Sequence, residues 1–382
     1  MKSTGPHASD RVSRRGFVKS GVLAGAALTA GATVTTARAQ GTRPSGKLPI
    51  TIAGYRLDRV EALVDGRTAV EGCDAEFEIA AIGDMNTDAL GGPMTREVTE
   101  IGLSPYMLAY ANDGLHNHTL LPVFPIRTFR HKSIFIRPDR GISKPEDLRG
   151  KKIATPGYSS TSLTWIRGIM QHEYGVKPED VQWFVSAADS SAGQAGKISR
   201  NEQFVPDGLT VTEGPAGKDE SQMLVDGDVD ALFHAAEPKA FHGGHLKCIR
   251  LFPDSRQTER DYFARTGIFP MMHAVAMRLD VVEEHPWLLK AVFDAYCEAK
   301  QVAYKQMRAM GWATNMLPWY AQELHDTVEL MGTDFWPYGV EPNRKTLETL
   351  FQYSNEQGLA SRRLTIEELF HPSPLALTDT SA

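Results

Sequence analysis

Apolar and polar positions alternate through residues 48–54 (LPITIAG) and again through 75–82 (AEFEIAAI), the two-residue period of half-buried strands. EIGLSPYMLAYAN reads as a short strand, a turn at Ser104-Pro105, and a helix with proline at its first position. LLPVFPI and KSIFIRP predict two more strands with edge prolines, and residues 151–155 a further one running into ATPGYSSTSLTW. From Ser159 the period changes. Leu163, Ile166, Ile169 and Met170 share one helix face until Tyr174-Gly175 ends it. VQWFVSA is another strand, and SQMLVDGDVDALFHAAEP gives a short helix, an Asp-Gly turn and a buried strand ending at His234. Residues 188–220, rich in Ser, Gly, Asp and Glu, read as a loop or insertion. TGIFPMMHAVAMR is a last apolar strand. From Pro286 the pattern is helical, through PWLLKAVFDAYCEAKQVAYKQM, residues 317–331, 344–357 and the short LTIEELF. The tail 371–382 reads as disordered, and no repeat of fixed period is present.

Strands alternating with helices define an α/β protein. Two α/β sets separated by crossing segments, then a helical block, predict two lobes joined by two crossing strands with a ligand cleft between them. The expected boundaries are residues 40–135 and 268–370 for lobe 1, the second part including the helical block, and 136–267 for lobe 2.

The first 39 residues stand outside this scheme. Ser13-Arg14-Arg15-Gly16-Phe17-Val18-Lys19 is a twin-arginine pattern, followed by an Ala/Gly-rich run and an A-x-A site at Ala37-Arg38-Ala39. This predicts a cleaved signal peptide, passage through the twin-arginine export machinery and a periplasmic location. Its removal takes away six Lys/Arg and one Asp, so the full-chain charge of −6 becomes −11. That acidity argues against nucleic acid or an anionic membrane surface as partner. Cys73, Cys248 and Cys297 have no C-x-x-C spacing, allow at most one disulfide, and read as buried thiols.

Several stretches resemble known proteins. DLRGKKIATPGYSSTS is similar to the entry into the second lobe of type 2 periplasmic binding proteins. VFPIRTFRHKSIFIRPDRGISKPEDLRGKKI, WIRGIMQHEYGVKPEDVQW, HPWLLKAVFDAYCEAK and WPYGVEPNRKTLETLFQYSNEQGL resemble the 4,5-dihydroxyphthalate decarboxylase-like family, which shares that fold. The resemblance runs from about Ile52 to Phe370. It implies two Rossmann-like lobes, an interlobe cleft, no organic cofactor, and loss of CO₂ from a dihydroxylated benzene dicarboxylate.

Candidate chemistry starts with Ser159, Ser160, Thr161 and Ser162 at the helix start. They could cradle an anion, cap the helix, or hide a nucleophile; the missing closing glycine and neighbouring base weigh against the last. The anion cradle suits a carboxylate. Arg127 and Arg130, just before the first crossing strand, could clamp it, and the adjacent His131 could donate a proton. His234 and Glu237 close a buried strand at the end where crevices form, and His273 lies in the second crossing strand. Tyr55 and Ser104 follow strands and face the cleft by fold analogy. His116–His118 and His242–His245 lie in polar loops without companion carboxylates at helical spacing, so no metal site is expected.

Two functions fit. One is a periplasmic solute-binding protein that closes on a small aromatic carboxylate and delivers it to a membrane importer permease. The alternative is a cofactor-free decarboxylase using His131, His234 or His273 as the acid. The export signal favours the first.

Overall fold

A computed structural model describes residues 46–191, 193, 198–372 and 377–379; the predicted signal peptide, 1–39, lies outside the described residues. Eleven strands, named in chain order, form two sheets among these residues. They are β1 (Leu48–Gly54), β2 (Cys73–Ile79), β3 (Val98–Gly102), β4 (His118–Leu121), β5 (Ile134–Ile136), β6 (Lys152–Thr155), β7 (Gln182–Val185), β8 (Val211–Glu213), β9 (Ala231–Phe233), β10 (Ile249–Arg250) and β11 (His273–Arg278). The first sheet has the order β2-β1-β3-β11-β4 and the second β10-β5-β9-β6-β7-β8.

Both sheets are mixed, and the reason matters for the site. β1 pairs in parallel with β2 and β3, whereas β11 returns from the other lobe and pairs antiparallel with β3 and β4. Its interior residues Ala274–Met277 are fully buried, which accounts for the continuous apolar run in the sequence. Antiparallel entry places the first residue of β11, His273, opposite Gly102 at the carboxyl end of β3. Open α/β sheets bind ligands at that end.

The two crossings lie side by side. Arg127 bridges Met271, the Thr128 N–H donates to the Pro270 carbonyl at 3.0 Å, and the Met272 N–H to the Ile126 carbonyl at 2.8 Å. Behind the cleft the lobes share a core. Trp165 and Ile169, from the helix Thr161–Tyr174, belong to one apolar cluster with Ile101, Leu120, Ala274, Phe351 and Tyr353. Gly175, at φ 66°, ends that helix as the sequence predicts.

Three readings need correction. Pro105 is the third residue of the helix Leu103–Asn112, not its first, because the chain turns helical directly after Gly102. Residues 188–220 are not a bare loop; they contain β8 and a short 3₁₀ turn, Arg200–Glu202, and they contribute to the cleft. In the expected disordered tail, Thr378 bridges Gly339 and the Asp379 carboxylate meets the buried Lys300 ammonium at 2.7 Å, a charge that needs a partner at that depth. The three cysteines are free and buried. No helix of the described residues is long and apolar enough to cross a membrane.

Candidate ligand cleft between the lobes

A cleft, partly open to solvent, lies between the sheets. Lobe 1 contributes Ile82, Gly102 and His273; lobe 2 contributes Pro156, Gly157, Ser160–Leu163, Asp189, Ser191, Ile198, Glu202 and Ala235. Among the described residues its charged lining is Asp189, Glu202 and the His273 imidazole, with no lysine or arginine.

The four hydroxyls divide the work. Ser159 is buried and donates to the Asn201 carbonyl at 2.7 Å, so it fastens a loop. Ser160 is the N-cap, its Oγ accepting from the Leu163 N–H at 3.4 Å. Thr161 Oγ1 accepts from the Ser104 N–H at 2.9 Å and so links the lobes. Ser162 Oγ accepts from Arg130 at 2.6 Å. Capping and anion binding coexist here. The N–H groups of Thr161 and Ser162 have no partner among the described residues, and they stand at the positive end of a 14-residue helix on the cleft wall. Ser104 itself is buried, its hydroxyl donating to Thr164 at 3.0 Å; it braces the cleft rather than lining it.

Facing them is His273. Its Nδ1 lies 2.6 Å from Glu100 Oε1, and Glu100 Oε2 accepts from the Tyr55 N–H at 3.1 Å. The Tyr55 ring stacks on the imidazole, 6.1 Å between centroids at 18°. Its hydroxyl accepts from the Ile82 N–H at 3.0 Å, and burial is the main cause raising its pKa. With Nδ1–H donating to the carboxylate, Nε2 is the nitrogen left for a ligand. Glu100 is 2% exposed, so this imidazole has a fixed orientation and a buried counter-charge.

The second buried histidine, His234, lies behind the lobe 2 wall. Its Nε2 is 3.2 Å from Asp189 Oδ1 and 3.3 Å from Glu220 Oε1. Burial alone would depress its pKa, but the Asp189 hydrogen bond and the Glu220 charge outweigh it and raise it. Asp189, Glu220 and His234 form a cluster whose donor atoms all lie within 4.8 Å of one another.

Four predicted residues lie elsewhere. Arg127 points away from the cleft, donating to Asn343 Oδ1 and the Phe269 carbonyl at 2.9 Å each, with its guanidinium over the Phe269 ring. Arg130 donates to the Ala235 carbonyl at 2.7 Å and stands behind Ser162. Both guanidiniums are buried and neither lines the cleft; Arg130 reaches its wall only through the Ser162 hydroxyl. Glu237 pairs with Arg250 on the outer side of lobe 2. His131 is a core residue ringed by Tyr174, Phe252 and Tyr262. Burial pulls it down to about 4 from 6.5. A base that resists protonation only when folded loses stability as pH falls from 6.5 towards 4. We expect the urea midpoint to drop over that window and His131→Phe to flatten the drop; an unchanged pH profile in the variant would place the titration elsewhere.

Sequence reading overlooked Glu100, Asp189, Glu202 and Glu220. Glu100 carried a signal, being an acid inside the short strand VTEIG, whose five residues are all buried. The others sit in or beside the polar segment 188–220, where an acid looks like ordinary solvated surface.

Comparison with known proteins agrees with this geometry. A periplasmic sulfonate-binding protein, SsuA, of Methylobacillus flagellatus superposes with a TM-score of 0.53 at 13% identity, covering 87% of this chain and 93% of its own. The fold is therefore that of periplasmic binding proteins, two α/β lobes around a cleft. The NMT1/THI5 like family model matches residues 116–199. A 4,5-dihydroxyphthalate decarboxylase of Comamonas testosteroni is 34% identical over 329 residues, 86% of this chain and 98% of that protein. Another, from Pseudomonas putida, is 31% identical over 217 residues, 57% of this chain and 82% of that one. The chain belongs to the 4,5-dihydroxyphthalate decarboxylase family.

Proposed function

We propose that this protein decarboxylates a 4,5-dihydroxyphthalate-type aryl carboxylate in the interlobe cleft, with His273 as the acid. The observation that carries the reading is the His273–Glu100 pair, an oriented imidazole with a buried counter-charge facing the interlobe cleft. Replacing CO₂ by hydrogen on an aromatic ring needs a proton at the carbon that loses the carboxylate. A ring hydroxyl para to that carbon supplies electron density. His273 Nε2–H delivers the proton, the carbon–carboxylate bond then breaks, and its electron pair restores the aromatic ring as CO₂ leaves. Glu100 holds the imidazolium before transfer.

Decarboxylation needs no cation beside the carboxylate that leaves. A leaving carboxylate loses its charge in the transition state, so an ion pair would stabilise the ground state and raise the barrier. The retained carboxylate needs a holder, and the free N–H groups at Thr161 and Ser162 suit it. Thr161→Pro, which removes one of these N–H groups at a first-turn position that tolerates proline, should raise KM by about tenfold, in line with one lost hydrogen bond to a charged group, with a smaller change in kcat. It should also lower stability by about 1 kcal/mol, because the Ser104 N–H loses its acceptor. Unchanged KM would remove the helix start from ligand binding.

A second reading has its own support. The twin-arginine motif and the binding-protein fold suit an exported solute-binding protein that delivers an aromatic carboxylate to an importer in the periplasm. Incubating the purified protein with 4,5-dihydroxyphthalate separates the two. CO₂ release supports the enzyme, whereas a ligand-induced melting shift without turnover supports the carrier. No response to any benzene dicarboxylate would remove both.

A further inference from the structure

We propose that Asp189, Glu220 and His234 form a divalent-metal site whose open coordination position faces the cleft. The spacing comes first. His234 Nε2 lies 3.2 Å from Asp189 Oδ1 and 3.3 Å from Glu220 Oε1. Ligands bonded to one ion at about 2.0–2.2 Å stand about 3.0–3.5 Å apart at octahedral or tetrahedral angles. Both histidine–carboxylate spacings fall in that range, and all three donor atoms lie within 4.8 Å of one another, close enough for one ion to draw them together.

The donors are also held in place from behind. His234 Nδ1 meets the backbone N–H and carbonyl of Ala236 at 2.9 and 2.8 Å, which turns Nε2 towards the carboxylates. The Ser191 N–H and hydroxyl donate to Asp189 at 2.7 and 2.8 Å, and the Ser190 N–H to Glu220 at 3.2 Å. Outer contacts of this kind orient metal ligands.

Charge gives an independent argument. The side chains of His234 and Glu220 are wholly buried and that of Asp189 is 9% exposed. No lysine or arginine pairs with either carboxylate among the described residues. Two buried carboxylates against one imidazole leave negative charge uncompensated, at high cost in a low-dielectric interior. A divalent cation bound by a neutral imidazole balances them.

Finally, Asp189 and Ser191 line the cleft while His234 and Glu220 do not, so the ion would be reached from the cleft side. Three protein donors leave a position for an exogenous ligand. The set of two oxygens and one nitrogen suits Mn²⁺, Fe²⁺, Co²⁺ or Zn²⁺. A vicinal aryl diol or a carboxylate entering the cleft would complete the shell; that ligand rests on the proposed function, whereas the metal site does not.

The test uses the full-length protein without substrate, so its outcome is independent of turnover. After chelation and dialysis against Mn²⁺ or Zn²⁺, elemental analysis should find about one ion per chain, with a metal-dependent rise in melting temperature. Asp189→Asn and Glu220→Gln should each weaken binding at least tenfold, while Glu237→Gln, an acid outside the cleft, should not. Melting of the metal-free variants checks that each folds, and either acid variant alone suffices. With Co²⁺ loaded, added catechol should shift the visible absorption bands. Less than a tenth of an ion per chain, or equal binding in the acid variants, would overturn the proposal in favour of a protonated His234 between two carboxylates. Bands insensitive to catechol would overturn the open position.

Discussion

His273→Gln is expected to lower CO₂ release from 4,5-dihydroxyphthalate by about 10²–10⁴-fold, the usual worth of a positioned acid, with little change in melting temperature. Glutamine preserves the volume and can still donate to Glu100, so the strand end and the Tyr55 contact survive. It cannot protonate carbon. Glu100→Gln should give a smaller loss in kcat, because the imidazole remains but its buried counter-charge is gone. If His273→Gln retained activity within about threefold, the acid would lie elsewhere, and His234 on the opposite wall would be the next residue to replace. A uniform rise in KM at constant kcat would mark His273 as a binding group and return support to the carrier reading.

The fold was legible because strand and helix periods are local properties. LPITIAG and HAVAMR are strands, and Leu163, Ile166, Ile169 and Met170 are all buried on the helix they predict. The site was legible in part. The hydroxyl-rich helix start and His273 reach the cleft because they flank strand ends, which chain order alone indicates. Arg127, Arg130 and His131 were misjudged for one physical reason. Next to a crossing strand a charged residue can face the cleft or the interior, and here backbone carbonyls and buried polar side chains hold the guanidiniums inward while aromatic rings enclose the imidazole. That choice depends on which backbone passes alongside, here residues 235 and 269. The acids Glu100, Glu220 and Asp189 take their meaning from His273 and His234, partners 173, 14 and 45 residues away in sequence. No window of local periodicity reaches that far.

The wall that carries the hydroxyls depends on a single glycine. A Cβ at Gly168 would fall 1.9 Å from Cδ2 and 2.3 Å from Cε2 of Tyr353. That ring cannot easily retreat, because it packs edge-on against Trp165 at 5.5 Å and stacks on His172 at 4.8 Å. Alanine is intrinsically worth about 1 kcal/mol over glycine within a helix, so the substitution would stabilise an isolated helix. Overpacking a tight core contact costs about 1–3 kcal/mol, and a separation this far inside contact distance belongs at the upper end. The clash therefore wins. Gly168→Ala should lose about 2 kcal/mol in urea unfolding. It should also reduce ligand affinity, since moving the helix away from Tyr353 displaces the Thr161 and Ser162 N–H groups at its start. Adding Tyr353→Ala supplies the internal control. Alone it should cost about 3–5 kcal/mol, as large-to-small aromatic changes do. With Gly168→Ala it should cost clearly less than the sum, the new methyl occupying part of the vacated space. Strict additivity, or a Gly168→Ala protein as stable as the parent, would mean that the two helices are not clamped at this point.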